Sequence, residues 1–336
     1  MRAVVTQAHG GLEQLAYVAD YADPRPTAHD VVIQVAACAL NYHDIFTRRG
    51  MPGIRIPLPV IVGSDIAGEI IELGAEVTGW ELGARVLVDP VFRDGVRFGM
   101  IGEVVDGGRA ERLVVPASQL VNVPANVSLH AAAALPLAYG TAHRMLHTRG
   151  RIAAGERVLI LGASGGVGVA CVQLAKLVGA EVIACASTND KLTALRALGA
   201  DHVINYIETP FADAVREKFG KPRTTGTGGV DVVVNFTGGD TWEPTQRCLR
   251  VGGRVLTCGA TAGYSVTTDL RYLWTYEQDM IGSNGWTVAD LEQLLALIAT
   301  DRLHPVIDRT FPLEATADAE RLIEDRQVLG KILIVP

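Results

Sequence analysis

The sequence predicts an α/β protein in two parts: an antiparallel, barrel-like β domain and a doubly wound parallel sheet. Three observations predict it. The first third is a series of short β-branched runs broken by Gly and Pro. From about residue 126, apolar runs alternate with amphipathic helical stretches. A glycine-rich turn in "VLILGASGGVGVACVQLAKLVGA" then stands between a buried strand and a helix.

The β-rich part reads as strands in "RAVVTQ", "DVVIQVAACAL", "VIVGSDIAGEIIEL", "ARVLVD" and "AERLVV", whose spacing and turn signals point to an antiparallel barrel. Between them "HDIFTRRG" predicts a short helix closed by Gly50. "AAAALPLAYGTAHRML" is Ala-rich and helical. Strands then follow at "RVLIL", "EVIACAS", "HVINY", "VDVVVNF" and "GRVLTCG", with helices between them. Continuous apolar strands separated by helices mean a parallel sheet covered on both faces, with right-handed crossovers. "RTTGTGG" reads as a surface loop, and a helix, a turn at "LHPV", a second helix and a strand "KILIVP" close the chain.

The 336 residues suffice for two domains. Thirty basic residues against thirty-seven acidic ones give a net charge of −7, and no basic cluster relieves it. That argues against a nucleic-acid surface and an anionic membrane. No apolar run is long enough for a membrane span, and "MRAVVTQAHGG" reads as a strand entering a turn rather than a signal peptide. Cys38, Cys171, Cys185, Cys248 and Cys258 are scattered, odd in number and mostly flanked by apolar residues. They read as free thiols in a reducing compartment, so the expected location is the cytoplasm.

The glycine turn is Ala163-x-Gly165-x-x-Gly168, spanning Ala163, Ser164, Gly165, Gly166, Val167 and Gly168. Gly165 lets the backbone approach a pyrophosphate, Gly168 lets helix and strand pack closely, and the helix N-terminus favours phosphate. This is read as a dinucleotide site. An NAD site usually carries Asp or Glu at the end of the second strand. Here that end holds Ser187 and Thr188, followed by Lys191, which suit a 2′-phosphate. The cofactor expected is therefore NADP, although Ser187 and Thr188 equally suit capping of the next helix.

"ACALNYHD" places Cys38 five residues ahead of His43, as if for a metal. His143 and His147 are spaced i, i+4, but "RML" between them lacks the Glu of a zincin, and no third ligand is near in sequence.

The markers "ALNYHD", "GSDIAGEIIELG", "DGGRAERLVVP", "LPLAYGTAHRML", "GASGGVG" and "GKILIVP" occur in order along the whole chain. With them the sequence resembles the medium-chain dehydrogenase/reductase superfamily. The resemblance implies a GroES-like β-barrel catalytic domain at 1–125 and 305–336, and a Rossmann doubly wound parallel sheet at 126–304. In zinc-dependent members, three side chains hold the catalytic zinc. Those positions fall on Asn41, Ser64 and near Leu137, none a normal zinc ligand. Cys38 and His43 are out of register with them, and "PVFRDGVRFGMIGEVV" lacks the four cysteines of a structural zinc site. The resemblance is thus to the zinc-free quinone oxidoreductases and enoyl reductases.

That resemblance implies hydride transfer from NADPH to a conjugated acceptor: an enone, enal, enoyl thioester or quinone. Asn41 would hold the enolate oxygen, with Tyr42, His43 or Tyr139 as the acid; Tyr42 and His43 equally suit filling behind the site. Asp44 reads as a partner that orients this loop. Resemblance adds Thr141, Tyr206, Thr237, Gly259, Ala260, Ser283, Asn284 and Lys331 to the cofactor contacts, Thr141 and Thr237 equally suiting capping. "MIGSNGW" corresponds to a strand that pairs across a two-fold axis, implying a homodimer or dimer of dimers. Loops near 48–58, 90–100 and 262–276 would shape the small-molecule pocket, with Tyr264, Tyr272, Trp274 and Trp286 lining it or the dimer contact. The alternatives are a zinc-free alcohol or carbonyl dehydrogenase, and an NADPH-binding protein without catalysis.

Overall fold

A computed structural model describes all residues except 52, 94, 96 and 97. The chain divides into two compact units: Met1–Ala138 with Val288–Pro336, and Tyr139–Thr287.

The first unit begins with β1 (Ala3–Thr6), β2 (Leu15–Val18), β3 (Asp30–Ala39), α1 (Tyr42–Arg49), β4 (Val60–Ile61) and β5 (Asp65–Leu73). β6 (Arg85–Val88), β7 (Arg112–Pro116), β8 (Leu120–Asn122) and the short α2 (Leu129–Ala133) follow. "VIVGSDIAGEIIEL" is therefore two strands, not one. Gly63 breaks it at φ +109°, where an added Cβ would meet the Cys38 sulfur and the Arg109 side chain. α1 ends where the sequence places its stop, at Gly50 with φ +91°.

The second unit takes up a helical stretch in which α3 (Thr141–His143) is flanked by π-helical turns, Leu135–Gly140 and Arg144–Arg149. β9 (Arg157–Ile160), α4 (Gly166–Val178), β10 (Glu181–Ala186), α5 (Asn189–Ala197), β11 (His202–Asn205) and α6 (Phe211–Phe219) come next. β12 (Val230–Val234), α7 (Trp242–Gln246), β13 (Leu249–Thr257), α8 (Leu270–Thr275) and β14 (Asp279–Gly282) complete it. The six strands are all parallel, in the order β11-β10-β9-β12-β13-β14. That is the doubly wound order, which reverses between β9 and β12. Val158, Leu159 and Ile160 of β9 and Val232, Val233 and Val234 of β12 are fully buried, as strands covered on both faces must be.

The chain returns to the first unit with α9 (Val288–Ala299), β15 (Ile307–Pro312), α10 (Thr316–Glu324) and β16 (Lys331–Val335). β15-β16-β3-β5-β6-β8 form one sheet with β7 also on β3, and β2-β1-β4 form a second. β15 was read in the sequence as part of a turn and helix. It pairs in parallel with β16, with a register shift between Ile307 and Arg309 that masks its alternation. The unit boundaries also differ from breaks at 125 and 305. α2 packs on β3, β5 and β6, and α9 on β8, so both belong to the first unit. Among the described residues no helix is long and apolar enough to cross a membrane.

Candidate active site

In the first unit the site grows from the end of β3, where the chain leaves the sheet and turns into α1. Asn41 is the N-cap residue, extended at φ −130° and ψ 154°. The Asp44 carboxylate reaches back to accept its backbone N–H at 3.0 Å, which satisfies a helix-end donor. The same Asp44 oxygen accepts from Arg109 Nη2 at 3.0 Å. Arg109 and Arg48, both fully buried, share the carboxylate of buried Glu320. Asp44 is thus a structural partner of the Asn41 loop.

Lys331, the first residue of β16, is buried, and its ammonium is engaged by three acceptors. They are the Leu40 carbonyl at 2.8 Å, Asn41 Oδ1, and Asp65 Oδ2 at 3.2 Å. An ammonium only donates, so it fixes the Asn41 carboxamide with oxygen toward Lys331 and leaves Nδ2 as its donor, one of whose two hydrogens goes to the Ala39 carbonyl at 3.4 Å. The other Asp65 oxygen accepts from the Leu137 backbone N–H at 2.9 Å. Burial holds the Asp65 pKa above the usual carboxylate value, against the lowering effect of Lys331. Lys331 therefore lies in this cluster, joined to Asn41 across 290 positions.

Ser64 is 2% exposed, and among the described residues its Oγ has no hydrogen-bond partner. It precedes Asp65, whose partner across the sheet is Ala39, so Ser64 and Asn41 leave adjacent strand ends. His43, on the first turn of α1, places Nε2 3.2 Å from Glu103 Oε1. Tyr42 lies edge-on to Phe46, with centroids 5.0 Å apart. Cys38 is fully buried on β3, and burial pushes its thiol pKa far up, which makes it a core residue rather than a thiolate ligand.

In the second unit, the residues read as cofactor contacts gather at one end of the parallel sheet. Ala163 to Gly168 follow β9, Ser187 and Thr188 follow β10, and Tyr206 follows β11. Thr237 follows β12, Gly259 and Ala260 follow β13, and Ser283 and Asn284 follow β14. All stand beyond carboxyl ends of strands, where doubly wound sheets bind ligands. In the turn itself, a Cβ on Gly168 would lie 2.3 Å from the Gly162 carbonyl oxygen. At Gly165 the nearest atom would be 3.6 Å away. The fold requires the first glycine; at Gly165 it leaves open space of the kind a pyrophosphate needs. This turn fits a dinucleotide.

Thr188 caps α5, accepting from the Lys191 N–H at 3.4 Å, while Tyr206 is 37% exposed. Thr141 is buried in α3. Tyr139 is fully buried within this unit, its hydroxyl 3.1 Å from Gln173 Oε1. The rings of His143 and His147 lie 4.6 Å apart. Among the described residues, no three His, Cys, Asp or Glu side chains are grouped to hold a metal ion. Trp286 is buried against Gly140, whereas Tyr264 and Trp274 are 83% and 66% exposed. The expected pocket loops at 48–58 and 90–100 include residues 52, 94, 96 and 97, which lie outside the described residues.

Glu103 is the functional candidate that sequence reading missed. It lies sixty residues from His43, and only burial of a carboxylate in a glycine-rich lobe could have flagged it.

Two family models match: an alcohol dehydrogenase GroES-like domain over residues 27–125, and a zinc-binding dehydrogenase domain over 166–300. An acryloyl-coenzyme A reductase of Metallosphaera sedula is 30% identical, with 99% of each chain covered. The rat (Rattus norvegicus) quinone oxidoreductase is 30% identical over 100% of this chain and 98% of its own. The chain belongs to the medium-chain dehydrogenase/reductase superfamily, in its quinone and enoyl reductase-like branch. A crystal structure described as an NAD-dependent alcohol dehydrogenase superposes on this chain with a TM-score of 0.92, at 35% identity over all of both chains. The protein is an oxidoreductase of this family that uses a nicotinamide cofactor. The zinc in the matched family description does not fit this chain: the positions that the resemblance gives to zinc ligands lie outside residues 166–300 and hold a carboxamide at Asn41, a hydroxyl at Ser64 and, near Leu137, no Cys, His or carboxylate.

Proposed function

We propose that this protein uses NADPH, without zinc, to transfer hydride to a small conjugated acceptor: an enone, enal, enoyl thioester or quinone. The observation that carries the reading is the Lys331–Asp65 pair, which turns Asn41 into a fixed hydrogen-bond donor where zinc enzymes place a ligand. Bound, the nicotinamide supplies hydride.

Asn41 Nδ2 and Ser64 Oγ donate to the acceptor's oxygen. Hydride adds at the β-carbon, the π pair moves toward oxygen, and the enolate forms with its charge on these two donors. Such donors are set before reaction and cost no reorganisation, each contributing about 10²–10³ in rate. His43 then gives a proton to the α-carbon as the carbonyl re-forms. His43 is preferred over Tyr139, whose hydroxyl donates to Gln173 Oε1. A conjugated acceptor suits such a site because its charge spreads to an oxygen that neutral donors can hold, whereas a simple alkoxide forms less readily without a Lewis acid.

NADPH is favoured because Ser187 and Thr188 stand directly after β10 where an NAD site carries an acid, and Lys191 follows them. A homodimer is favoured because β14 is an edge strand carrying the exposed Met280, and Leu270 and Trp274 of the preceding helix are exposed. The acidic balance and absent basic cluster argue for a small-molecule partner, not nucleic acid or membrane, and the free thiols for the cytoplasm.

The test is NADPH oxidation by chelator-treated protein with an α,β-unsaturated ketone, followed by mass spectrometry. A saturated ketone is expected. The likeness to an NAD-dependent alcohol dehydrogenase favours a second reading, zinc-free carbonyl reduction, and an allylic alcohol as product would establish that one instead. Asn41→Ala should lower kcat more than tenfold with NADPH affinity unchanged.

A further inference from the structure

We propose that Glu103 is the positioning residue of the proton donor: it holds His43 by Nε2, so that the proton leaves from Nδ1. This rests on the reductase reading, in which His43 is the acid.

The geometry is specific. His43 Nε2 lies 3.2 Å from Glu103 Oε1, with side chains 25% and 4% exposed. The second carboxylate oxygen, Oε2, accepts the Met100 N–H at 3.0 Å, so the carboxylate cannot rotate freely. The turn carrying it is itself fixed. Gly102 has φ +79°, and a Cβ there would strike the Gly63 carbonyl at 2.5 Å. Gly99 has φ +110°, and a Cβ there would stand 2.8 Å from Glu103 Oε2. Both glycines are needed to seat the carboxylate against Gly63, the residue before Ser64 and Asp65. A buried carboxylate so held requires a donor on Oε1, and Nε2–H is that donor.

The consequence follows from which nitrogen is engaged. With Nε2–H committed to Glu103, the ring can lose only the Nδ1 proton, and the neutral ring left behind keeps its bond to the carboxylate. A proton from water restores the acid. Burial disfavours the charged ring, but the bond to Glu103 and its charge outweigh that, and Asp44 and Asp65 add to them, so the His43 pKa lies above the ordinary histidine value. The charged ring is thus favoured over that of an ordinary histidine, which suits a general acid.

The test follows His43 by NMR in uniformly ¹⁵N-labelled protein, assigned with His43→Gln, beside the pH profile of kcat on the enone. In the native protein the ring should titrate above 6.5 and the neutral ring should carry its proton on Nε2. Glu103→Gln should move that titration, and the alkaline limb of kcat with it, down by at least about one pH unit. A native titration at or below 6.5, or a neutral ring protonated on Nδ1, overturns the proposal even if Glu103→Gln does not fold. So does an unmoved titration in a folded Glu103→Gln. If the NMR behaves as expected and no unsaturated acceptor is turned over, the Glu103–His43 coupling stands and the reductase reading fails instead.

Discussion

Replacing two glycines of one turn by alanine should separate what the fold needs from what the cofactor needs. Gly168 is the third residue of α4. A methyl there would lie 2.3 Å from the Gly162 carbonyl oxygen and 2.6 Å from two Ala163 backbone atoms. None of these belongs to a side chain that can swing aside. The helix would gain about 1 kcal/mol from alanine, against about 1–3 kcal/mol or more for forced overpacking. The clash wins, and Gly168→Ala should lower the apo melting temperature by several degrees. Gly165 has φ −78° and ψ 173°, a conformation open to any residue, with nothing closer than 3.6 Å to an added methyl. Gly165→Ala should therefore leave apo stability within about 0.5 kcal/mol. Its methyl would fill the approach to the pyrophosphate, so NADPH affinity should fall at least tenfold. Thermal melts with and without NADPH read both effects, since a ligand at a hundred times its Kd adds about 2.7 kcal/mol to the native protein. The reasoning is refuted if Gly165→Ala is stabilised by NADPH as the native protein is, or if its apo form melts as early as Gly168→Ala.

Other outcomes follow from the same geometry. Lys331→Met strands the Asp65 carboxylate in a buried site and should cost about 3–5 kcal/mol in urea unfolding; adding Asp65→Asn should recover much of it, and a single-variant loss below about 1 kcal/mol would show that the pair does not anchor β16. Ser187→Asp with Lys191→Glu should shift the kcat/KM preference from NADPH toward NADH at least tenfold; an unchanged ratio would remove the end of β10 from coenzyme choice. Trp274→Glu with Met280→Lys places charge beside the edge strand β14 and should convert a dimer into monomers in sedimentation, whereas a monomeric native protein would refute the pairing.

Much of the second unit was legible in the sequence because its determinants are local. "RVLIL", "EVIACAS" and "VDVVVNF" are short apolar runs between helical patterns, and each became a parallel strand. "HDIFTRRG" became α1 because Gly50 can adopt the positive φ at its end. β15 was not legible, since a register shift spoils the alternation that marks a strand. The compact units change at Ala138 and Val288 rather than at 125 and 305 for a related reason. α2 and α9 are apolar helices whose sequences do not say which sheet they cover; packing on β3, β5, β6 and β8 decides that.

The candidate site divides in the same way. Residue types and their order in the chain carry the glycine turn and the hydroxyls directly after β10, and the family resemblance carries the unsuitability of Asn41, Ser64 and the position near Leu137 as zinc ligands. These are chemical facts about single positions, and no contact is needed to read them. Only the tertiary structure brings Lys331 onto Asn41, Arg109 onto Asp44, and Glu103 onto His43, across 290, 65 and 60 positions. β16 lies against β3 with Leu333 opposite Ala39, and the Gly102 turn lies against Gly63. Those pairings exist only once the sheet has closed. A charge acquires its partner, and so its role, from which strands become neighbours, and nothing within a few residues of Lys331 or Glu103 specifies that.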